Sequence, residues 1–200
     1  MAAKSTLRNM ALCLTAVCLV CAAILGCVYV LTEQPIENGA KKALEASIGA
    51  VLPEGGELSE VKSAEKDGIS YDYYESSKDG LTVAYAVKST TSGFGGPLTL
   101  MVGVLPDGTV YNTSVLSHSE TPGLGAKCNQ DENFMKQWRG FGPEKKLQVR
   151  KDGGDVDAIT ASTITSRAYA LAVLQAVNLV RGLGGAPTDA VSGATKKTEE

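Results

Sequence analysis

The longest apolar run is residues 10–31, MALCLTAVCLVCAAILGCVYVL, and it contains no charge. As a helix rising about 1.5 Å per residue it spans roughly 33 Å, enough for the hydrocarbon core of a bilayer. A cleaved signal peptide usually carries a shorter apolar stretch of about 7–15 residues. A lipoprotein signal ending at Cys27 is a third reading, although Leu25 is bulky for it and the apolar run continues to Leu31. The pattern thus predicts one transmembrane helix over residues 10–31, with those two alternatives open. Lys4 and Arg8 precede the run, and Glu33 and Glu37 are the first charges after it. The positive-inside rule then places residues 1–9 in the cytoplasm and everything after the helix on the outer (periplasmic) face of a bacterial inner membrane.

Residues 36–51, IENGAKKALEASIGAV, place Ile36, Ala40, Ala43, Leu44, Ile48 and Val51 at helical spacing. This predicts a linker helix within residues 32–56, stopped by LPEGGE. Strand patterns follow. Residues 69–77 and 81–90 flank KDG, and residues 97–105 and 109–117 flank PDG, which gives two hairpins. In the second turn Pro106 presets φ and Gly108 accepts a positive one. TSGFGG is a loop between the hairpins, NFMKQW at 133–138 a short helix, and LQVRKDGGDVD a short strand and turn. Residues 166–182 are apolar on more than one face, which predicts a largely buried helix. The expected fold is α+β, an antiparallel sheet with packed helices behind one N-terminal transmembrane helix. Residues 57–183 form the outer domain, and residues 184–200 form a polar tail.

Composition removes several function classes. The formal net charge is −3 and no basic run exceeds a Lys pair, so no nucleic-acid partner is expected. His118 is the only histidine, and no GxSxG context, zinc-ligand spacing, P-loop or dinucleotide fingerprint accompanies it. Of the five cysteines, Cys13, Cys18, Cys21 and Cys27 lie in the apolar run, where they read as small packing residues. Cys128 stands alone in the outer domain, so no disulfide framework forms there.

Two segments remain that are rich in glycine and hydroxyls. HSETPGLGAKC, residues 118–128, follows a strand. Its tight loop offers backbone N–H groups to a phosphate or a flavin edge, or is an ordinary turn. DAITASTITSRA, residues 157–168, opens the buried helix. Thr163, Thr165 and Ser166 are cap-type residues there, and a helix start attracts anions. Arg167 is either a phosphate partner or a solvated residue.

Together these segments resemble the FMN-binding G subunit of the Rnf electron-transport complex and its relative, the C subunit of the sodium-pumping NADH:quinone reductase. That family's attachment motif reads Asp, two variable residues, Ser or Thr, Gly, Ala, Thr. Here it falls on Asp157, Thr160, Ala161, Ser162 and Thr163. The ETPGLG loop, residues 120–125, is the second hallmark, and the likeness extends from residue 10 to about residue 182. The resemblance implies FMN bound covalently, as a phosphoester on Thr163, with Thr121, Gly123, Leu124, Gly125, Thr160, Ser162 and Thr165 lining the site and Asp157 in the attachment motif. It implies an electron-relaying subunit of a membrane-bound, ion-translocating oxidoreductase, not catalytic alone. Its partners are the complex's other integral and peripheral subunits and a flavin transferase for maturation.

Two letters depart from the motif: Ala161 stands for Gly and Ser162 for Ala. Ala161 is expected to keep a negative φ. These departures motivate the alternative of a non-redox, membrane-anchored assembly module. The tail repeats the motif in full as Asp189, Ser192, Gly193, Ala194 and Thr195, so Thr195 is a possible second attachment point.

Overall fold

The computed structural model describes residues 6–184. The chain divides into two compact units between Leu44 and Glu45. The first is helical. Helix α1, Leu7–Val51, runs through Pro35 without ending, so the expected anchor and linker helices are one element. Proline in a helix interior removes one backbone hydrogen bond, a cost the good helix formers around it absorb. An 18-residue window of α1 reaches a mean hydropathy of 2.7 with none of its surface buried, which fits a single-pass membrane anchor.

The second unit is built on a six-stranded antiparallel sheet. Its strands are β1 Glu57–Leu58, β2 Lys62–Lys66, β3 Ile69–Lys78, β4 Leu81–Ser92, β5 Pro97–Val104 and β6 Val110–His118. The order is β1-β3-β4-β5-β6, with β2 also pairing β3. The β3–β4 turn holds Asp79 and Gly80 at φ 53° and 78°, and the β2–β3 turn holds Asp67 and Gly68 at 53° and 75°. Positive φ at both central residues is the mark of the tight type I′ hairpin. Strand β2, and β1 before it, are not expected from the hydrophobic pattern.

Helices α2, Glu132–Lys136, and α3, Thr163–Leu183, complete the fold. Asp131 caps α2 by accepting from Asn133 N and Phe134 N at 2.9 and 3.2 Å. Helix α3 buries Tyr169, Ala172, Val173, Ala176 and Val180 against one sheet face, where Leu98, Leu100, Val102 and Val104 of β5 meet it. The last turns of α1 cover the opposite face. A Cβ on Gly103 would stand 1.7 Å from the Val51 carbonyl oxygen, so glycine alone permits that approach. Tyr169 stacks on Trp138 with centroids 4.9 Å apart, and the edge of Phe134 meets both rings. The Tyr169 hydroxyl donates to Thr113 Oγ1 at 2.8 Å, which ties α3 to β6. Residues 147–157 depart from the expected strand. They form a 3-10 turn, Arg150–Asp152, and one isolated bridge between Val149 and Val156, because Gly153 at φ 82° turns the backbone out of extension.

Candidate functional site

The site is where three loops meet the start of α3. Thr163 is the first residue of α3, half-buried. Its hydroxyl has no hydrogen-bond partner among the described residues. The N-cap residue Ser162 makes no side-chain cap bond, so the first N–H groups of the helix remain free to meet an anion. The neighbouring hydroxyls are committed. Ser166 Oγ accepts from Ile159 N at 2.9 Å and donates to the Ser162 carbonyl at 3.0 Å, which locks the motif loop onto the helix. Thr165 Oγ1 donates to Glu120 Oε2 at 2.8 Å. Thr160 is exposed. The helix begins three residues earlier than the apolar pattern indicates, because Thr163, Ile164 and Thr165 form its first turn.

Glu120 is the hub, and sequence reasoning places it only within the ETPGLG loop. It is 6% exposed. Its second oxygen, Oε1, accepts from Phe94 N at 2.8 Å and Gly95 N at 3.4 Å. One buried carboxyl group therefore joins the β4–β5 turn, the ETPGLG loop and α3. Glycine makes room for it. A Cβ on Gly93 would lie 2.1 Å from Oε1, and a Cβ on Gly125 would lie 2.2 Å from Oε2 and 2.7 Å from Thr165 Oγ1. The signal that could have found this role is a lone acidic residue beside a glycine-rich loop. His118 supports the same loop, since its Nδ1 accepts from Glu120 N at 3.3 Å.

The ETPGLG loop folds around the Thr121 carbonyl, which accepts from Leu124 N and Ala126 N, each at 3.2 Å. Two N–H groups expected to face a ligand are thereby used within the loop. Gly123 takes φ 77°, Leu124 is exposed, and Gly125 is buried against Glu120. The following 3-10 turn, Gly125–Asn129, carries Cys128. Burial, helped by the nearby Glu120, pushes the Cys128 thiol up to about 11, so it is inert at neutral pH.

Asp157 is exposed at the far end of the motif and pairs with Arg150 Nε at 3.0 Å. Gln137 brackets its backbone, accepting from Asp157 N at 2.8 Å and donating to Asp157 O at 3.1 Å. Arg167 is neither free nor simply solvated. It grips Asp152 with two bonds of 2.7 Å, and those bonds hold the Asp152 carboxyl below its usual range. The tail motif with Thr195 lies outside the described residues.

The comparisons with known proteins bear on this arrangement. Residues 93–178 match the family model described as FMN-binding domain. The chain is 33% identical, over 86% of its length and 90% of the relative's, to the G subunit of the proton-translocating ferredoxin:NAD(+) oxidoreductase complex of Clostridium ljungdahlii. The chain belongs to the G subunit family of ion-translocating oxidoreductase complexes. The Vibrio cholerae G subunit is 31% identical over 88% of this chain and 91% of its own. Among solved structures, the C subunit of the Na(+)-translocating NADH-quinone reductase of Parabacteroides distasonis is similar at 26% identity and a TM-score of 0.41, covering 58% of this chain and 60% of that one. Shewanella oneidensis NqrC gives 20% identity and a TM-score of 0.44, over 68% and 74%. As one component of such a complex, the chain has the complex's other subunits as partners.

For this member of the G subunit family, the structure corrects one expectation at the motif. Ala161 has φ 62°, not a negative value. The reason is the turn. Ser162 N donates to Ile159 O at 3.0 Å, which makes Ala161 the third residue of a β-turn. A positive φ there is the type II pattern that glycine serves best. Alanine keeps the backbone path at a cost of about 1 kcal/mol. Ala161→Gly is therefore expected to stabilise the domain by about that amount and raise Tm by about 2–4 °C in a thermal scan. An unchanged or lower Tm would contradict strain at Ala161.

Proposed function

We propose that this chain is a flavoprotein subunit that relays electrons through FMN attached covalently at Thr163, with its outer domain on the periplasmic face of the inner membrane. The observation that carries the reading is an uncommitted threonine hydroxyl at an uncapped helix start, inside a chain whose family model is the FMN-binding domain. The arrangement suits the group. The free N–H groups of α3 and its dipole favour a phosphate there. The bond from Thr165 to Glu120 ties the loop that carries Thr121, Gly123, Leu124 and Gly125 to this helix, which supports their reading as lining residues.

Attachment forms a bond between Thr163 Oγ and the FMN phosphorus and breaks the anhydride of a flavin dinucleotide, releasing AMP and the hydroxyl proton. A separate flavin transferase performs it, since the described residues hold no cluster of His, Cys, Asp and Glu suited to a metal. When bound, the flavin supplies reversible electron uptake. The chain's own residues fix its position, because Ser166 and Thr165 lock the loop and the helix start together. A tether also prevents loss of the cofactor outside the cytoplasm. Lys4 and Arg8, which precede the apolar run, support this orientation.

A non-redox module is motivated by the changed letters at Ala161 and Ser162. The positive φ of Ala161 weighs against it, because the loop keeps the conformation a glycine would give. The chain, made together with a flavin transferase, is expected to be yellow and to keep flavin fluorescence in a denaturing gel. A colourless product would overturn the reading.

A further inference from the structure

The β4–β5 turn, residues 93–96, contains three glycines and one side chain. Gly93 N donates to Gly96 O at 2.8 Å and closes it. A Cβ would clash at two of the glycines, 2.1 Å from Glu120 Oε1 at Gly93 and 2.1 Å from the Ser119 carbonyl oxygen at Gly95, and at Gly96, where φ is 145°, it would stand a tight 3.1 Å from Ser119 Cβ. The turn is thus fixed in shape, and Glu120 Oε1 holds its Phe94 N–H. The one side chain it presents, Phe94, is 69% exposed. An exposed aromatic held this firmly gains stability once something apolar covers it.

Two further apolar side chains stand on the segments that Glu120 joins to this turn. Ile164, next to Thr163, is 49% exposed, and Leu124 is 45% exposed. Through Glu120, Phe94 is linked to Thr165 and so to the first turn of α3. Phe94 also lies at the very start of the FMN-binding match, residues 93–178.

Resting on the attachment at Thr163, the geometry points to Phe94 as the aromatic partner of the tethered flavin's ring system, with Ile164 and Leu124 completing an apolar seat. The ring is planar, aromatic and uncharged in its oxidised form, as an exposed phenyl requires. A phosphoester at Thr163 fixes one end of the cofactor, and Phe94 limits where the other end lies.

The test uses the full-length chain in detergent, made with a flavin transferase. It compares wild type with Phe94→Ala, Phe94→Trp and Leu81→Ala, the last a 73% exposed residue at the other end of β4. Three quantities are read: flavin fluorescence in the denaturing gel, flavin fluorescence yield in the native protein, and quenching by iodide. Phe94→Ala is expected to keep the gel signal, while iodide quenching of the native protein rises roughly two- to tenfold, the range an aromatic pair supports. Phe94→Trp keeps the ring shielded from iodide and lowers the native yield, because a stacked indole donates an electron to the excited flavin, and Leu81→Ala changes nothing. Unchanged iodide quenching in Phe94→Ala, with the gel signal intact, overturns the inference while leaving attachment standing. Absence of the gel signal in wild type removes the attachment reading and this inference with it.

Discussion

Thr163→Val is expected to abolish flavin fluorescence in the denaturing gel, and Thr195→Val to leave it unchanged. Valine keeps the branched shape of threonine and removes only the hydroxyl. The Thr163 hydroxyl makes no hydrogen bond among the described residues, so the fold loses little, within about 0.5 kcal/mol. A melting temperature close to wild type would separate a lost acceptor from a lost fold. Thr163→Ser restores an alcohol and is expected to restore part of the signal. Thr165 cannot substitute as acceptor, since its hydroxyl is buried on Glu120. Thr195 has the family's complete letters around it. The double variant Thr163→Val/Thr195→Val settles whether it contributes. Loss of signal with Thr195→Val alone would overturn the assignment. An electron relay depends steeply on distance between centres, which a cofactor fixed at the start of a packed helix satisfies.

The sequence discloses those parts of the fold whose signals are local. Strands β3 to β6 alternate or run apolar, and their turns carry Asp79-Gly80 and Pro106-Asp107-Gly108, so both hairpins are legible. Strand β2 is not, because KSAEK offers no apolar side chain larger than alanine to a strand pattern. Asp67-Gly68 repeats the same hairpin signal immediately after it and could have revealed it. Pro35 and the nearby charges suggest a break between anchor and linker helix, yet α1 continues through them as one element. At the site, the motif letters locate Thr163 and the ETPGLG loop. They do not show that Glu120 joins them to residues 93–96, since that link spans 26 positions to Phe94 and 45 to Thr165. Long-range polar contacts leave no periodicity in a single sequence. The φ of Ala161 departs from expectation for a related reason. The letter alone favours negative φ, and the turn around it requires the opposite.

Replacing that hub is expected to loosen the site while leaving Thr163 itself intact. Glu120→Ala strands the Phe94 and Gly95 N–H groups and the Thr165 hydroxyl, and opens a gap where Gly93 and Gly125 were fitted against the side chain. Unpaired buried donors and a cavity together cost about 2–4 kcal/mol. The loss is expected to fall on the three segments around Thr163, so flavin per chain drops when the variant is made with the transferase. Glu120→Gln keeps the shape. Its amide oxygen can accept from Phe94 N, and its NH2 can donate to a rotated Thr165 hydroxyl. This variant is expected to lose about 1 kcal/mol and to load normally. Gly125→Ala attacks the same contact from the other side, since its new methyl would stand 2.2 Å from Oε2, and should resemble Glu120→Ala. Melting temperature and flavin-to-protein ratio, measured side by side, distinguish the cases. If Glu120→Ala melts and loads like wild type, the three segments are held together by something other than this carboxyl group. If Glu120→Gln fails as badly as Glu120→Ala, the charge rather than the geometry is what the site requires.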